Sequence, residues 1–376
     1  MPFTLAEIHL REIHLELREP FQISSGTMST RRIFLLELRD KDGAVAWSEC
    51  VAGDAPNYSP ETVETAWTAI RLWIAPRLLG VEVERAADVA AILERDFRGH
   101  EMAKGAVEMG CWGLEAEMRG IPLAELVGGT RQEIATGISL GIQASPAALV
   151  ERAERALADG YRKVKIKIKP GADLEYLEAA RKALGDDAPL MADANNAYHL
   201  DDADHLAKFD DLGLIMIEQP LAWNDVVRHA QLQKRLHTPI CLDESIVGLD
   251  QAQDMIAMEA GRIINIKPGR VAGFSASRAI HDLAAEADIP VWCGGMLESG
   301  IGRAYNVALA SLPNFTLPGD VSPSSRYWAR DIVEPEWTMN ADGMVRVPWD
   351  RPGLGVEVDV ERIEKLTVKS ETLRVD

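Results

Sequence analysis

Five residues recur at nearly one interval. Lys167, Asp193, Glu218, Asp243 and Lys267 are separated by 26, 25, 25 and 24 positions. Two amines and three carboxylates are groups that move protons and hold a hard cation. Carboxylate oxygens suit Mg²⁺, with Mn²⁺ as a substitute, and three carboxylates in a dry pocket could not all stay ionised without such a counter-charge. A single acid after a strand is ordinary loop polarity; three at equal spacing form a constellation. Zinc is disfavoured, because none of the eight histidines forms an HxxxH pair or sits beside this array.

Each of the five lies at the end of a short apolar run. Such runs predict strands at Ile134–Leu140, Val164–Ile168, Pro189–Ala192, Leu214–Ile217, Ile240–Leu242, Ile263–Ile266, Val291–Cys293 and Phe315–Leu317. They alternate with amphipathic helical stretches, the pattern of parallel strands with crossover helices. Eight strands favour a closed barrel, whose mouth is built from the C-terminal strand ends. The interval is one strand–helix unit, so the five residues come from strands 2 to 6.

In VKIKIK, Lys165, Lys167 and Lys169 share one face and Val164, Ile166 and Ile168 the other. The outer face of a barrel strand packs under helices, so the lysines point inward. Lys165 beside Lys167 disfavours a second positive charge, which predicts a lowered pKa and a neutral amine able to take a proton. Lys267 ends INIK, with Asn265 on its face. Strands 2 and 6 stand opposite each other in a ring of eight, with the three acidic strands between them. A substrate carboxylate held on the metal would have a lysine on each side of its α-carbon. One face could lose a proton and the other gain one, with the metal stabilising the enediolate between the two events.

The flanking segments differ. Residues 1 to about 50 alternate with period two, with a turn at Asp42-Gly43, and Pro60 to Gly128 reads as helical. The tail carries another strand pair around Asp342-Gly343 (MVRVP, then GVEVD), expected to return to the N-terminal domain. The chain therefore divides into an α+β domain over 1–128, a barrel over 129–320 and a returning segment over 321–376.

Composition bounds the partners. The 376 residues are 47% hydrophobic and 26% charged, enough for a sizeable core. With 40 Lys and Arg against 59 Asp and Glu, the net charge is −19. Such a surface repels phosphate backbones and anionic lipids, so no nucleic acid and no membrane is expected as a partner. The start, MPFTLAEIHLREIHLELRE, is too charged for a signal peptide. Four scattered cysteines fit a reduced, cytoplasmic protein; it is the array of amines and carboxylates that points to a small carboxylate substrate.

KVKIK, DANNAY, IEQP, CLDES, NIKPGR and PVWCGGMLESGIGR resemble the barrel motifs of the enolase superfamily. Within its muconate-lactonising subgroup they resemble the o-succinylbenzoate synthase and N-acylamino acid (N-succinylamino acid) racemase family. The resemblance covers essentially the whole chain. It implies an α/β fold, a modified TIM barrel of (β/α)7β type with an α+β capping domain built from both termini, and a homo-oligomer. Matched position by position, it makes Lys167 and Lys267 the acid/base pair and Asp193, Glu218 and Asp243 the Mg²⁺ ligands. Lys165 and Asn195 then line the site, with Glu244 behind the ligands. Ser139, Gly295, Met296 and Leu297 match substrate-contacting positions, and Arg270 matches an arginine of racemase-capable members, also counted among the substrate contacts. The Gly26 loop and the segment around Tyr58 resemble two mobile loops that close over substrate. The implied activity is metal-dependent removal of a proton α to a carboxylate, in a dehydrating synthase, a racemase or both. The alternatives are a dipeptide epimerase or cycloisomerase of the same superfamily, or a Schiff-base aldolase using Lys267. An epimerase would need a motif for the substrate's ammonium near strand 8, and none is evident around Asp320.

Overall fold

Alternation in the first fifty residues produces three antiparallel strands, β1 (Phe3–Ile23), β2 (Gly26–Asp40) and β3 (Val45–Cys50). The computed structural model describes residues 1–23 and 26–375, so the tip of the Gly26 loop, Ser24 and Ser25, lies outside the described residues. β1 buries Ile8 and Leu10, then Ile13 and Leu15. The change of parity coincides with a register shift between Glu12 and Ile13, where the C-terminal partner strand carries one extra residue, Val368. Helix α1 (Glu101–Arg119) packs on this sheet and is buried from Met102 to Ala116. Ser48 Oγ of β3 donates to the Ala106 carbonyl at 2.7 Å.

The central region forms seven parallel strands: β4 (Ile138–Leu140), β5 (Val164–Lys167), β6 (Leu190–Asp193), β7 (Ile217–Glu218), β8 (Ile240–Leu242), β9 (Ile263–Ile266) and β10 (Val291–Cys293). They pair in sequence order, each with the next. Every residue of these strands is buried, as parallel sheets covered on both faces require. The expected eighth strand at Phe315–Leu317 does not form. The ring is instead joined a few residues later, by single hydrogen bonds. Asp320 N–H donates to the Cys293 carbonyl at 2.8 Å, Gly319 N–H to Ala135 at 3.0 Å, and Gly137 N–H to Gly319 at 2.6 Å.

Two further expectations are corrected. The run Ile134–Leu140 is two strands, because Glu133–Ala135 leaves the barrel to pair with Met344–Arg346. The tail strands also differ in destination. Met344–Arg346 takes that barrel-side partner, and Glu357–Val358 pairs with Val333–Glu334. The strand that joins the N-terminal sheet is β11 (Thr367–Arg374), antiparallel to β1.

Two buried carboxylates of the cap seat it on the barrel. Glu108 of α1 accepts from Phe274 N–H and Ser275 N–H, at the start of the helix Phe274–Glu286. Glu49 of β3 accepts from Ser299 N–H at 3.0 Å and Ser299 Oγ at 2.6 Å, capping Gly300–Ala310. Both satisfy helix-terminal donors that would otherwise be orphaned. Cys50, Cys111, Cys241 and Cys293 are buried free thiols. No helix among the described residues is long and apolar enough to cross a membrane.

Candidate active site

Strand register sets three of the five spaced residues at one level: Lys167 is opposite Asp193, and Asp193 opposite Glu218. Asp243 and Lys267 each follow the last residue of their strands, β8 and β9. Asp193, Glu218 and Asp243 are fully buried, and the two lysines nearly so. The five ends meet at the barrel mouth.

The lysines flank the acids. Lys167 Nζ donates to Asp193 Oδ2 and to Asn195 Oδ1, both at 2.6 Å. On the other flank Lys267 Nζ donates to Asp243 Oδ2 at 2.8 Å and to Tyr58 Oη at 3.0 Å. Three strands separate β5 from β9 in the sheet. Burial would lower the Lys267 pKa, but the Tyr58 phenol and the Glu218 and Glu244 carboxylates leave it raised.

Lys165 departs from expectation. Its Nζ lies 2.6 Å from Asp320 Oδ2, 3.2 Å from Glu218 Oε2 and 3.3 Å from Asp193 Oδ2. Burial opposes its charge, yet these carboxylates raise its pKa well above the ordinary lysine value. It is a fixed cation, because the spacing rule saw its lysine neighbour and not the acids that reach it from other strands.

The acids respond to the same field. Against the burial that would raise it, the Lys167 and Lys165 charges hold the Asp193 carboxyl below its usual range. Burial and the Asp193 charge push Glu218 up. Asn265 Nδ2 donates to Glu218 Oε1 at 2.8 Å. Glu244 sits behind, accepting at 3.1 Å from the side-chain amides of both Asn195 and Asn196, its pKa raised by burial and Asp193. Asn195, Asn196 and Gln219 have φ of +42°, +66° and +40°, left-handed conformations clustered just past β6 and β7.

A cavity of about 460 Å³ opens above these groups. Ser139, Lys165, Lys167, Asn195, Lys267, Gly295, Met296, Leu297 and Tyr58 all line it. Glycine is required in GGML: a Cβ on Gly294 would lie 2.6 Å from Lys267 Cε, and one on Gly295 2.8 Å from the Asp320 carbonyl oxygen. Arg270, expected among the substrate contacts, is not on the cavity wall. It is 2% exposed, and its guanidinium bonds Asp243, the Ile246 and Asn265 carbonyls and Tyr58 Oη. It reaches the cavity wall through Tyr58.

Some of the wall was not anticipated. Phe21, Met28, Val51, Met102 and Tyr327 supply an apolar side, and Asp320 a charged one. Asp320 follows the closing segment of the barrel, so the rule that found the other strand-end acids also applies to it.

The donor set suits a hard dication, being all carboxylate and dry. Two of its oxygens already share one cation, the Lys165 ammonium. Asp243 is drawn the other way, by Lys267 and Arg270. As they stand, no three histidine, cysteine or acidic side chains among the described residues are gathered closely enough to hold a metal ion.

Residues 6–128 match the mandelate racemase/muconate lactonizing enzyme N-terminal domain and residues 148–363 the enolase C-terminal domain-like family. The o-succinylbenzoate synthase of Geobacillus stearothermophilus is 46% identical over 98% of this chain and 97% of its own length. The N-succinylamino acid racemase of an Amycolatopsis species is also 46% identical, over 96% of this chain and 97% of its own. Among solved structures, an enolase superfamily member from Listeria innocua superposes with a TM-score of 0.95 at 36% identity, each chain covered completely. The chain belongs to the enolase superfamily, in its mandelate racemase/muconate lactonizing enzyme branch.

Proposed function

We infer that this protein is an enzyme that removes a proton α to a carboxylate, acting as an o-succinylbenzoate synthase, an N-succinylamino acid racemase or both. What carries the assignment is the pair Lys167 and Lys267 on opposite flanks of three buried carboxylates. Near-full-length relatives bearing both names support it.

Asp193, Glu218 and Asp243 would hold Mg²⁺, and Mn²⁺ could replace it. When bound, the ion supplies a Lewis acid that steadies negative charge on the substrate carboxylate. For dehydration, Lys167 takes the α-proton of the succinyl-cyclohexadiene carboxylate and delivers it to the departing hydroxyl, which leaves as water. Lys267 stays cationic beside the developing anion. For racemisation, one lysine takes the α-proton from one face and the other returns a proton to the opposite face. Each enantiomer thus has its own base. Asn195 steadies Lys167 through its 2.6 Å contact, and Tyr58 does the same for Lys267.

Both substrates should be assayed on one purified sample before and after exhaustive chelation. Activity should vanish and return with Mg²⁺ or Mn²⁺. Full turnover with no metal bound, or no turnover of either substrate by the metal-loaded protein, overturns the assignment.

A further inference from the structure

A ladder of lysines starts at the residue before β5 and runs up the inner face of that strand to the barrel mouth. Lys163, Lys165 and Lys167 are 0%, 3% and 9% exposed. Only the upper two are explained by chemistry at the mouth. Lys163 Nζ has no hydrogen-bond partner; it lies 3.4 Å from the centroid of the Trp292 ring and 3.6 Å from Asp320 Oδ1. The other oxygen of Asp320 is 2.6 Å from Lys165 Nζ. One buried carboxylate therefore stands between two buried lysines. The surroundings make room for this arrangement. A Cβ on Gly137 would come within 2.8 Å of Lys163 Cε.

We propose that Asp320, pinned from below by Lys163, is a positioning residue that draws Lys165 away from Asp193 and Glu218 and so keeps those carboxylates available to a divalent cation. This rests on the assignment of Asp193, Glu218 and Asp243 as the metal-holding set. Lys165 touches two of these three acids. A dication arriving there repels its ammonium, which has nowhere else to go in a dry barrel unless another carboxylate receives it. Asp320 is that carboxylate, at the shortest of the three separations. Without it, Lys165 competes for the metal's ligands.

The test is Mn²⁺ binding to the full chain, followed by calorimetry and by the electron paramagnetic resonance signal of free Mn²⁺. Asp320→Asn should weaken Mn²⁺ binding by roughly 10–100-fold, the range for partners that orient metal ligands. Adding Lys165→Met to Asp320→Asn should bring affinity back to that of Lys165→Met alone, because the competing cation is gone. A merely structural role for Asp320 gives no such rescue. Unchanged Mn²⁺ affinity in Asp320→Asn, or no rescue in the double variant, overturns the proposal. Should Asp320→Asn fail to fold by circular dichroism, Lys165→Met decides alone: it must bind Mn²⁺ at least as tightly as the parent, and a tenfold loss overturns the proposal. The underlying assignment fails separately, if the parent protein binds no Mn²⁺ or if Asp193→Asn binds it unchanged.

Discussion

Replacing either flanking lysine with arginine should separate the two faces of the substrate. Arginine keeps the positive charge but, with a pKa above about 12, does not serve as a base. In Lys167→Arg the charge beside Asp193 and Asn195 is retained, and in Lys267→Arg the charge beside Asp243 and Tyr58. The electrostatic field on the substrate carboxylate changes little, while one proton acceptor disappears. General-base catalysis contributes about 10²–10⁴-fold, or roughly 3–5 kcal/mol at 1.36 kcal/mol per decade. The assay is α-proton exchange of each enantiomer of an N-succinylamino acid in deuterated water, followed by NMR. Each variant should lose exchange of one enantiomer by that factor and keep exchange of the other, and neither should racemise. The enantiomer lost should differ between the two variants. Equal exchange of both enantiomers by both variants would refute the opposed-lysine geometry, because the proton would then come and go from one side.

Tyr58→Phe removes a hydroxyl that contacts Lys267, Asp243 and Arg270 at 3.0–3.2 Å. Hydrogen bonds to charged groups contribute about 1.5–3 kcal/mol, so exchange served by Lys267 should fall roughly 10–100-fold while that served by Lys167 falls less. Equal losses would show that Tyr58 does not act through Lys267. Glu49 offers a test of the seating of the cap. Burial pushes its carboxyl up to about 7, with Ser299 opposing and Glu298 adding to the rise. Its neutral form is favoured in the native state, so this stability is complete below the ordinary value of 4.5 and is lost as pH rises through about 7. The shift corresponds to roughly 3 kcal/mol. Urea unfolding of the parent should weaken more between pH 5 and pH 8 than that of Glu49→Gln, and parallel curves would contradict the assignment.

The reactive residues were legible because each ends a short apolar run, and a repeating strand–helix unit turns such ends into one ring. Burial on both faces made those runs continuous and easy to see. Other features depend on partners that spacing does not reveal. Gly137 and Gly319 join the barrel by single hydrogen bonds, so the last position left no apolar strand to read and Phe315–Leu317 was chosen in its place. The tail strand Met344–Arg346 pairs with Glu133–Ala135, a match more than two hundred residues away in sequence. The charge on Lys165 was misjudged for the same reason. Its lysine neighbour is two positions away in the chain, while Asp320, 155 positions away, is the group it touches most closely.

Charge balance offers a physical reason why such a pocket would admit either succinyl substrate. Asp193, Glu218, Asp243, Glu244 and Asp320 face Lys163, Lys165, Lys167, Lys267 and Arg270, all buried. With every group ionised, five negative charges meet five positive ones. A dication adds two positive charges that a dry barrel cannot leave uncompensated. A succinyl-cyclohexadiene carboxylate and an N-succinylamino acid are both dicarboxylates, and either one brings the balance back to zero. A dipeptide with a free ammonium and a single carboxylate brings no net charge and leaves the excess in place. The lysine that acts as base must first give up one proton, and the transfer from substrate restores its charge in the same way whichever of the two succinyl compounds is bound. Phe21, Met28, Val51 and Met102 on the cavity wall carry no hydrogen-bond donor with which to distinguish a carbocycle from an amino-acid side chain. What the two substrates share is read by the charged floor, and what separates them can lie against these apolar side chains.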